Sequence, residues 1–321
     1  MIMHRWRVIG GAPPGIHPVP FEKAMSHDRS LDPHDILKTL GVQTVHAIVP
    51  VMGGADTALW RVEHDDRSSA LRVFRSSQWS AFDRECAALD IAAGHSIPVP
   101  DIRASGSWQE RPALLLSWCD GQPLAISLRQ QPWRLVGLAR AFGRMQAAIH
   151  RIRDIALPHT EPADWITWYQ AVDADLEAQL RQRASPARYL LHLDYHPLNV
   201  LTSGGAVSCV LDWANTRAGD PRADVARTYA ILVAEPHQAG PEPLWYRVVR
   251  RMLAHSWLAG YQAVAGELRD MPLFYAWAGA VMCADLAPRV HNPSSWWQPQ
   301  HLQIVERWTR QWRTRAAHAQ Q

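Results

Sequence analysis

The sequence predicts an α+β protein: a small antiparallel-sheet lobe, then a larger and mainly helical lobe, with a cleft between them. Three observations carry that prediction. Between Val45 and Ser117 short apolar runs alternate with turn-forming residues, and from Pro132 onward the periodicity becomes helical. Near the start of the helical region, one compact segment from Leu191 to Asp212 sets His, Asp and Asn among short apolar runs. The chain of 321 residues is long enough for one large or two coupled domains.

Residues 1–30 are rich in Pro, Gly and His without periodicity and read as a loosely held extension. "LDPHDILKTLG" follows as a short helix: Asp32 can cap, Pro33 suits the first turn and Gly41 can terminate it, so residues 1–40 form an extension plus helix. "VHAIVPV", "ALWRVEH" and "ALRVF" read as an antiparallel meander. A helix over Ser80–Ala93 comes next, with Phe82, Cys86, Leu89 and Ile91 giving a partial apolar face. "IPVPDIRASG" and "PALLLSWCDG" supply two more strands and complete a sheet domain over residues 41–117. Residues 118–321 form the helical part, with helices expected to residue 152, over Asp164–Arg183 and from Asp224 to the end. "NVLTS" and "VSCVLD" flank Gly204-Gly205 as a hairpin would.

The net charge of +3 is small and the arginines are scattered, which argues against a nucleic-acid partner. Arg310, Arg313 and Arg315 close a terminal helix and read as its solvated face. No run of about 18 apolar residues occurs, and the N-terminus lacks the apolar core of a signal peptide, so the expectation is a cytoplasmic chain with no membrane partner. Cys86, Cys119, Cys209 and Cys283 are far apart and form no Cys-x-x-Cys pair; they read as reduced, mostly buried thiols rather than a zinc site or disulfide framework.

Chemistry concentrates in "LHLDYHPLN" and "VLDWAN". Carboxylates are costly to bury unless they are paired or hold a metal, so Asp194 and Asp212 beside apolar strands mark a candidate site. The plain alternatives are an Asx-turn before Pro197 for Asp194 and a hairpin-end cap for Asp212.

"HLDYHPLNVL" followed by "VLDWANTRAGDPRADVAR" resembles the catalytic segment of the aminoglycoside phosphotransferase and choline kinase family, relatives of the protein kinases. His192, Asp194, Asn199, Asp212, Gly219, Asp220, Pro221 and Asp224 fall in register with its H-x-D-x-x-x-x-N loop, metal-binding Asp and G-D-P-x-x-D tail. The resemblance implies a protein-kinase-like two-lobe fold. It also implies ATP or GTP with Mg2+ as cofactors, and a hydroxylated small molecule as the phosphate acceptor. Asp194 would orient or deprotonate the acceptor hydroxyl, while Asn199 and Asp212 would hold magnesium, a hard cation suited to oxygen ligands.

Upstream the resemblance is looser. "VMGGADTALWRV" stands at the nucleotide-covering loop, where Gly53 and Gly54 would let backbone approach phosphate, although Gly-Gly also makes an ordinary hairpin turn. Arg72 stands at the phosphate-gripping cation and Glu85 at its helical partner; arginine replaces the protein-kinase lysine there, and a plain surface strand arginine is the alternative. "LLLSWCDGQPL" resembles the hinge, with Ser117 and Cys119 as nucleotide contacts, and "GRMQAAIH" resembles the helix behind the catalytic loop. The family commonly has Gly at Leu193 and Leu198, so both leucines are expected to point into the core; Ala214 stands where an acidic residue is frequent. His192 and Asp224 read as a buried histidine–carboxylate pair that holds the loop.

From residue 221 on, eleven arginines face seven acidic residues, the wrong sign for attracting a polycationic acceptor. Trp165, Trp168, Tyr169, Trp213, Trp245, Trp257, Trp277, Trp296 and Trp297 are candidate walls for a flat or singly charged one, though most read as core. A small-molecule kinase is thus set against a catalytically idle nucleotide-binding relative and a protein kinase. The metal ligands are intact, and no activation segment separates "VLDWAN" from "GDPRAD".

Overall fold

The computed structural model describes residues 31–51, 57–160, 164–234, 243–292, 295 and 297–318. Residues 1–30, together with Gly53, Gly54 and Trp296, lie outside them. The small lobe opens with α1 (Pro33–Thr39), where the Asp32 side chain accepts from the His34 amide at 2.9 Å and Pro33 occupies the first turn. Ile36 and Leu37 of α1 are fully buried against Trp60, Leu71 and Leu115, and the Trp108 indole donates to Asp35 at 2.6 Å. This short helix therefore shares the core of the sheet that follows.

That sheet comprises β1 (Val45–Pro50), β2 (Ala58–His64), β3 (Arg67–Val73), β4 (Ile102–Trp108) and β5 (Arg111–Ser117), antiparallel throughout in the order β1-β2-β3-β5-β4. Strand alternation sends Leu71 and Val73 toward α1, which puts Ala70 and Arg72 on the opposite face. β5 is an unbroken apolar run because both of its faces are covered. Ala113 and Leu115 join the α1 cluster, while Leu114 and Leu116 join the main core alongside Phe82 and Leu89 of α2 (Trp79–Gly94).

The large lobe contains β6 (Gln122–Pro123), α3 (Leu124–Gln130), α4 (Leu135–Ile149) and α5 (Ala174–Arg183), then β7 (Tyr189–Leu191), β8 (Val200–Ser203), β9 (Ala206–Val210) and β10 (Arg217–Gly219). It continues with α6 (Pro221–Ala234), α7 (Leu244–Ala265), α8 (Met271–Val290) and α9 (Pro299–His318). β8 and β9 form the hairpin expected around Gly204-Gly205. The helix expected from Asp164 begins ten residues later, because Asp173 caps the Leu176 amide at 3.0 Å. Before it the chain turns, burying Trp165 and Ile166 in the core. Among the described residues no helix is long and apolar enough to cross a membrane.

Tryptophans 165, 213, 257 and 277 are fully buried, so of the aromatic candidates only Trp168, Tyr169, Trp245 and Trp297 keep described surface. α4 and α7 pack closely because Gly143 and Gly260 carry no side chain. A Cβ at Gly143 would meet the backbone of Trp257 and Tyr261, and one at Gly260 the backbone of Arg140. Gly143→Ala is therefore expected to destabilise the fold by about 2–3 kcal/mol through overpacking, read as a lower urea midpoint at unchanged m-value.

Candidate active site

The segment His192–Asn199 links β7 to β8, and Asp212 follows directly on β9. The Leu211 amide donates to the Asn199 carbonyl at 2.8 Å, so the loop's end and the approach to Asp212 are pinned side by side.

Asp224, on the first turn of α6, holds the loop from beneath. Its carboxylate accepts from the amides of His192 (3.1 Å) and Leu193 (2.7 Å) and pairs with His150 Nε2 at 2.9 Å; His150 Nδ1 in turn meets the Tyr261 hydroxyl at 2.8 Å. Burial pushes the Asp224 carboxyl up, but His150 and the loop amide outweigh it and hold the group below its ordinary value. The expected His192–Asp224 side-chain pair is corrected here: the carboxylate takes the backbone of His192 and the imidazole of His150. The His192 ring instead has Nε2 3.0 Å from the Leu211 carbonyl and Nδ1 accepting from the Asp194 amide at 3.3 Å. That is the bonding of a neutral imidazole, and burial lowers its pKa in the same sense.

Leu193 is fully buried and adopts φ +60°, a left-handed conformation that explains why glycine suits this position. Leu198 departs from expectation, with 59% of its surface exposed: the turn at Pro197 leaves it outside the core. The Asn199 amide donates to the backbone and side-chain oxygens of Asp194 at 3.1 and 3.2 Å. His196, missed in the sequence although it stands two residues beyond Asp194, brings Nε2 to 3.6 Å from the Asp194 carboxylate. Burial alone would raise the Asp194 carboxyl; His196, Arg227 and His192 together hold it well below the usual carboxylate range.

Across the cleft, Arg72 spreads its guanidinium over three partners. Nη1 donates to Glu85 at 2.6 Å, Nη2 to Asp212 at 2.7 Å and Nε to the Thr57 hydroxyl at 3.1 Å. An ammonium offers no such fixed fork, so arginine here links α2, β3 and the Asp212 turn at once. Asp212, at φ +62°, is the most open of the three charged groups. Burial pulls Arg72 down, but its two carboxylates reverse this and raise it; burial pushes Glu85 up against the pull of Arg72.

At the hinge, Ser117 is tied to Asp101: its amide donates to the Asp101 carbonyl and its hydroxyl accepts from the Asp101 amide, both at 2.8 Å. Cys119 forms a disulfide with Cys209 of β9, which corrects the expectation of four reduced thiols. The reason is tertiary: the hinge and β9 lie side by side with Cα atoms 6.3 Å apart across 90 residues of sequence, a proximity no local spacing reveals. Cys86 and Cys283 are free.

The donor set that Asn199 and Asp212 offer, an amide oxygen and a carboxylate, fits a hard divalent cation completing its shell with phosphate oxygens and water. Among the described residues no group of three or more His, Cys, Asp or Glu converges on a metal position. A cavity of about 700 Å³ bordered by His150, Tyr189, Asp220, Arg222, Tyr261 and Arg269 contains none of Asp194, Asn199 or Asp212.

A sheet lobe carrying an arginine–glutamate pair, placed over a loop that presents Asp, Asn and a second Asp, defines a kinase-like phosphotransferase architecture. In keeping with it, residues 47–266 match the phosphotransferase enzyme family, and the chain belongs to that family. No curated protein sequence matches significantly. The fold resembles that of aminoglycoside phosphotransferase APH(4)-Ia, solved as a thermostable mutant with ADP and hygromycin B (16% identity, TM-score 0.59, covering 86% of this chain and 97% of that one). It also resembles an aminoglycoside-3'-phosphotransferase of type VIII (18% identity, TM-score 0.55, 77% and 98%) and macrolide 2'-phosphotransferase MphH from Brachybacterium faecium (18% identity, TM-score 0.53, 86% and 96%).

Asp224→Asn is expected to destabilise the protein by about 3 kcal/mol at neutral pH, because it disrupts a buried carboxylate bonded to two loop amides and to His150. Because this carboxyl titrates lower in the folded chain than in the unfolded one, its contribution is complete above about pH 4 and is lost as pH falls through the depressed folded value. Urea titrations of both proteins at a series of pH values should show their stabilities converging in acid.

Proposed function

We propose that this protein transfers the γ-phosphate of ATP or GTP to a hydroxyl of a small molecule, as a cytoplasmic enzyme. The observation that carries the proposal is the Arg72 bridge from Glu85 to Asp212, made while Asp194 and Asn199 are locked together in the loop before β8. Phosphoryl transfer asks little covalent chemistry of a protein; it asks for alignment and charge compensation. Asp194, held ionised by its surroundings, orients the acceptor hydroxyl and takes its proton. Arg72 grips phosphate oxygens, and Glu85 fixes its direction. Backbone of the hinge at Ser117 and Cys119, and of the loop at Gly53 and Gly54, would hold the nucleotide. Asn199 and Asp212 would hold Mg2+, which when bound neutralises charge on the transferring phosphate.

A small acceptor is favoured over a protein because the chain runs from Asp212 directly into β10 and α6, with no long segment to form a peptide platform. The arginine excess of the helical lobe favours a neutral, singly cationic or anionic acceptor over a polyamine sugar, since each unpaired ammonium would lose hydration for little return.

Asp194→Ala should lower turnover by at least about a hundredfold in a nucleotide-consumption assay with pooled hydroxylated metabolites and antibiotics. Asp212→Ala should abolish magnesium-supported nucleotide binding, and wild-type turnover in both variants would refute the assignment. Arg72→Ala should weaken binding of a non-hydrolysable nucleotide by about tenfold or more in calorimetric titration, with the fold intact by circular dichroism. Unchanged affinity would make Arg72 an ordinary strand residue.

A further inference from the structure

Behind Asp212, where α2 meets the segment 214–217, the structure gathers more guanidinium than it neutralises. Arg84, the neighbour of Glu85 on α2, reaches only the Ala214 carbonyl at 3.5 Å, and its Nε is buried with no hydrogen-bond partner. Arg217 lies 3.1 Å from Asp164 by Nε, a contact that does not meet hydrogen-bond geometry. Arg188 is near enough to lower the Asp164 carboxyl electrostatically, and its Nε is also buried without a partner. Asp164 Oδ1 and the Thr216 hydroxyl are likewise buried without partners. The other nearby carboxylate, Asp83, is engaged by His159 at 2.7 Å. Among the described residues, three arginines thus share one carboxylate.

Buried polar atoms nearly always find partners, and an uncompensated buried charge is costly. A cluster with several orphaned atoms and surplus positive charge is the mark of a missing anion, and guanidinium forks match the oxygens of phosphate and carboxylate. The arginines also perturb one another: burial and the proximity of Arg217 pull Arg84 down to about 10. An anion between them would remove that repulsion.

The cluster's position ties it to the chemistry. The Trp168 ring lies 5.7 Å from the Arg217 guanidinium and 5.5 Å from that of Arg227, whose Nε donates to the Leu193 carbonyl at 3.4 Å, one residue before Asp194. On its other side the cluster joins α2 to the chain two residues beyond Asp212.

We infer that Arg84, Arg188 and Arg217, with Thr216, form an oxyanion-binding site at the junction of the lobes, in competition with the Asp164 carboxylate. It takes a phosphate or carboxylate group, supplied either by a free ion acting as effector or by an anionic acceptor. An occupied site would clamp α2 to the 214–217 segment and so steady the Glu85–Arg72–Asp212 bridge. The site itself does not depend on turnover; only the acceptor arm of its test rests on the proposed kinase activity.

The test is calorimetric titration of the full chain with inorganic phosphate, against chloride at matched ionic strength, with a non-hydrolysable nucleotide present to fill the cleft. Wild type should bind one phosphate. Arg84→Gln and Arg217→Gln should each weaken it by about tenfold or more, Arg217→Lys should weaken it less, and Asp164→Asn should tighten it by removing the competing carboxylate. The gain in Asp164→Asn decides the matter even if an arginine variant fails to fold. Absence of phosphate-specific binding in wild type, or the same affinity in wild type and Asp164→Asn, overturns the site. Failure of the nucleotide analogue to bind would instead refute the proposed function and leave the phosphate titration readable. Phosphorylation of glycerol 3-phosphate or gluconate, inhibited competitively by inorganic phosphate, assigns the site to the acceptor; phosphate binding without such competition assigns it to an effector.

Discussion

The buried carboxylate of Asp224 is the constraint on which the large lobe depends. A charge with no exposed surface must be compensated where it lies, and here the compensation comes from the amides of His192 and Leu193 and from His150. His150 ends α4 and contacts Tyr261 on α7, so one charge on α6 draws two other helices and the candidate catalytic loop to a common point. Bonds between Gln146 and Thr228, between Thr228 and the Tyr195 carbonyl, and between Tyr195 and the Phe142 carbonyl repeat the theme one layer further along α6. The first two amides of the loop are satisfied from beneath by this carboxylate. That is also what permits Leu193 to sit at positive φ, a strain of about 1–2 kcal/mol that a loop free to relax would relieve.

The contact between lobes follows a different rule. Arg72 is nearly buried, yet it serves two carboxylates from two lobes and a hydroxyl besides. A lysine could neutralise one partner well; the planar fork of arginine reaches several without moving. Arginine at this place thus gives a fixed strut where lysine would give a mobile point charge, and the opposing effects on Glu85 fit this. Burial works against its charge, and Arg72 works to keep it. The same preference for arginine recurs at Arg84, Arg188 and Arg217, where the fork has outrun the supply of carboxylates.

Much of this was legible in the sequence because it is local. Strand alternation, the punctuation of the meander, the Asp32 cap and the Gly204-Gly205 hairpin each depend on residues within a few positions of one another. The motif from His192 to Asp224 was legible through its resemblance to a family's catalytic segment, because all of its residues fall in order within one short stretch of chain. Helical periodicity over Asp164–Val172 misled, since Trp165 and Ile166 are buried by tertiary packing in a turn rather than by the face of a helix. β6, β7 and β10, of two or three residues each, are too short for any period to register.

By itself, then, the sequence determined the two-lobe order, the five-stranded sheet and the hairpin, which follow from periodicity and turn punctuation along one chain, while its resemblance to a known family pointed to a candidate set of phosphoryl-transfer groups. Tertiary structure alone decided which partner each charge received. His150 rather than the His192 ring took the Asp224 carboxylate, Cys119 met Cys209 across 90 residues, Leu198 turned outward, and Arg217 paired with Asp164. The physical reason is that burial and electrostatics act through space. The cost of a charge depends on whatever groups the fold brings within a few ångströms, and in this protein those groups lie up to 140 positions apart along the chain, the separation of Arg72 from Asp212.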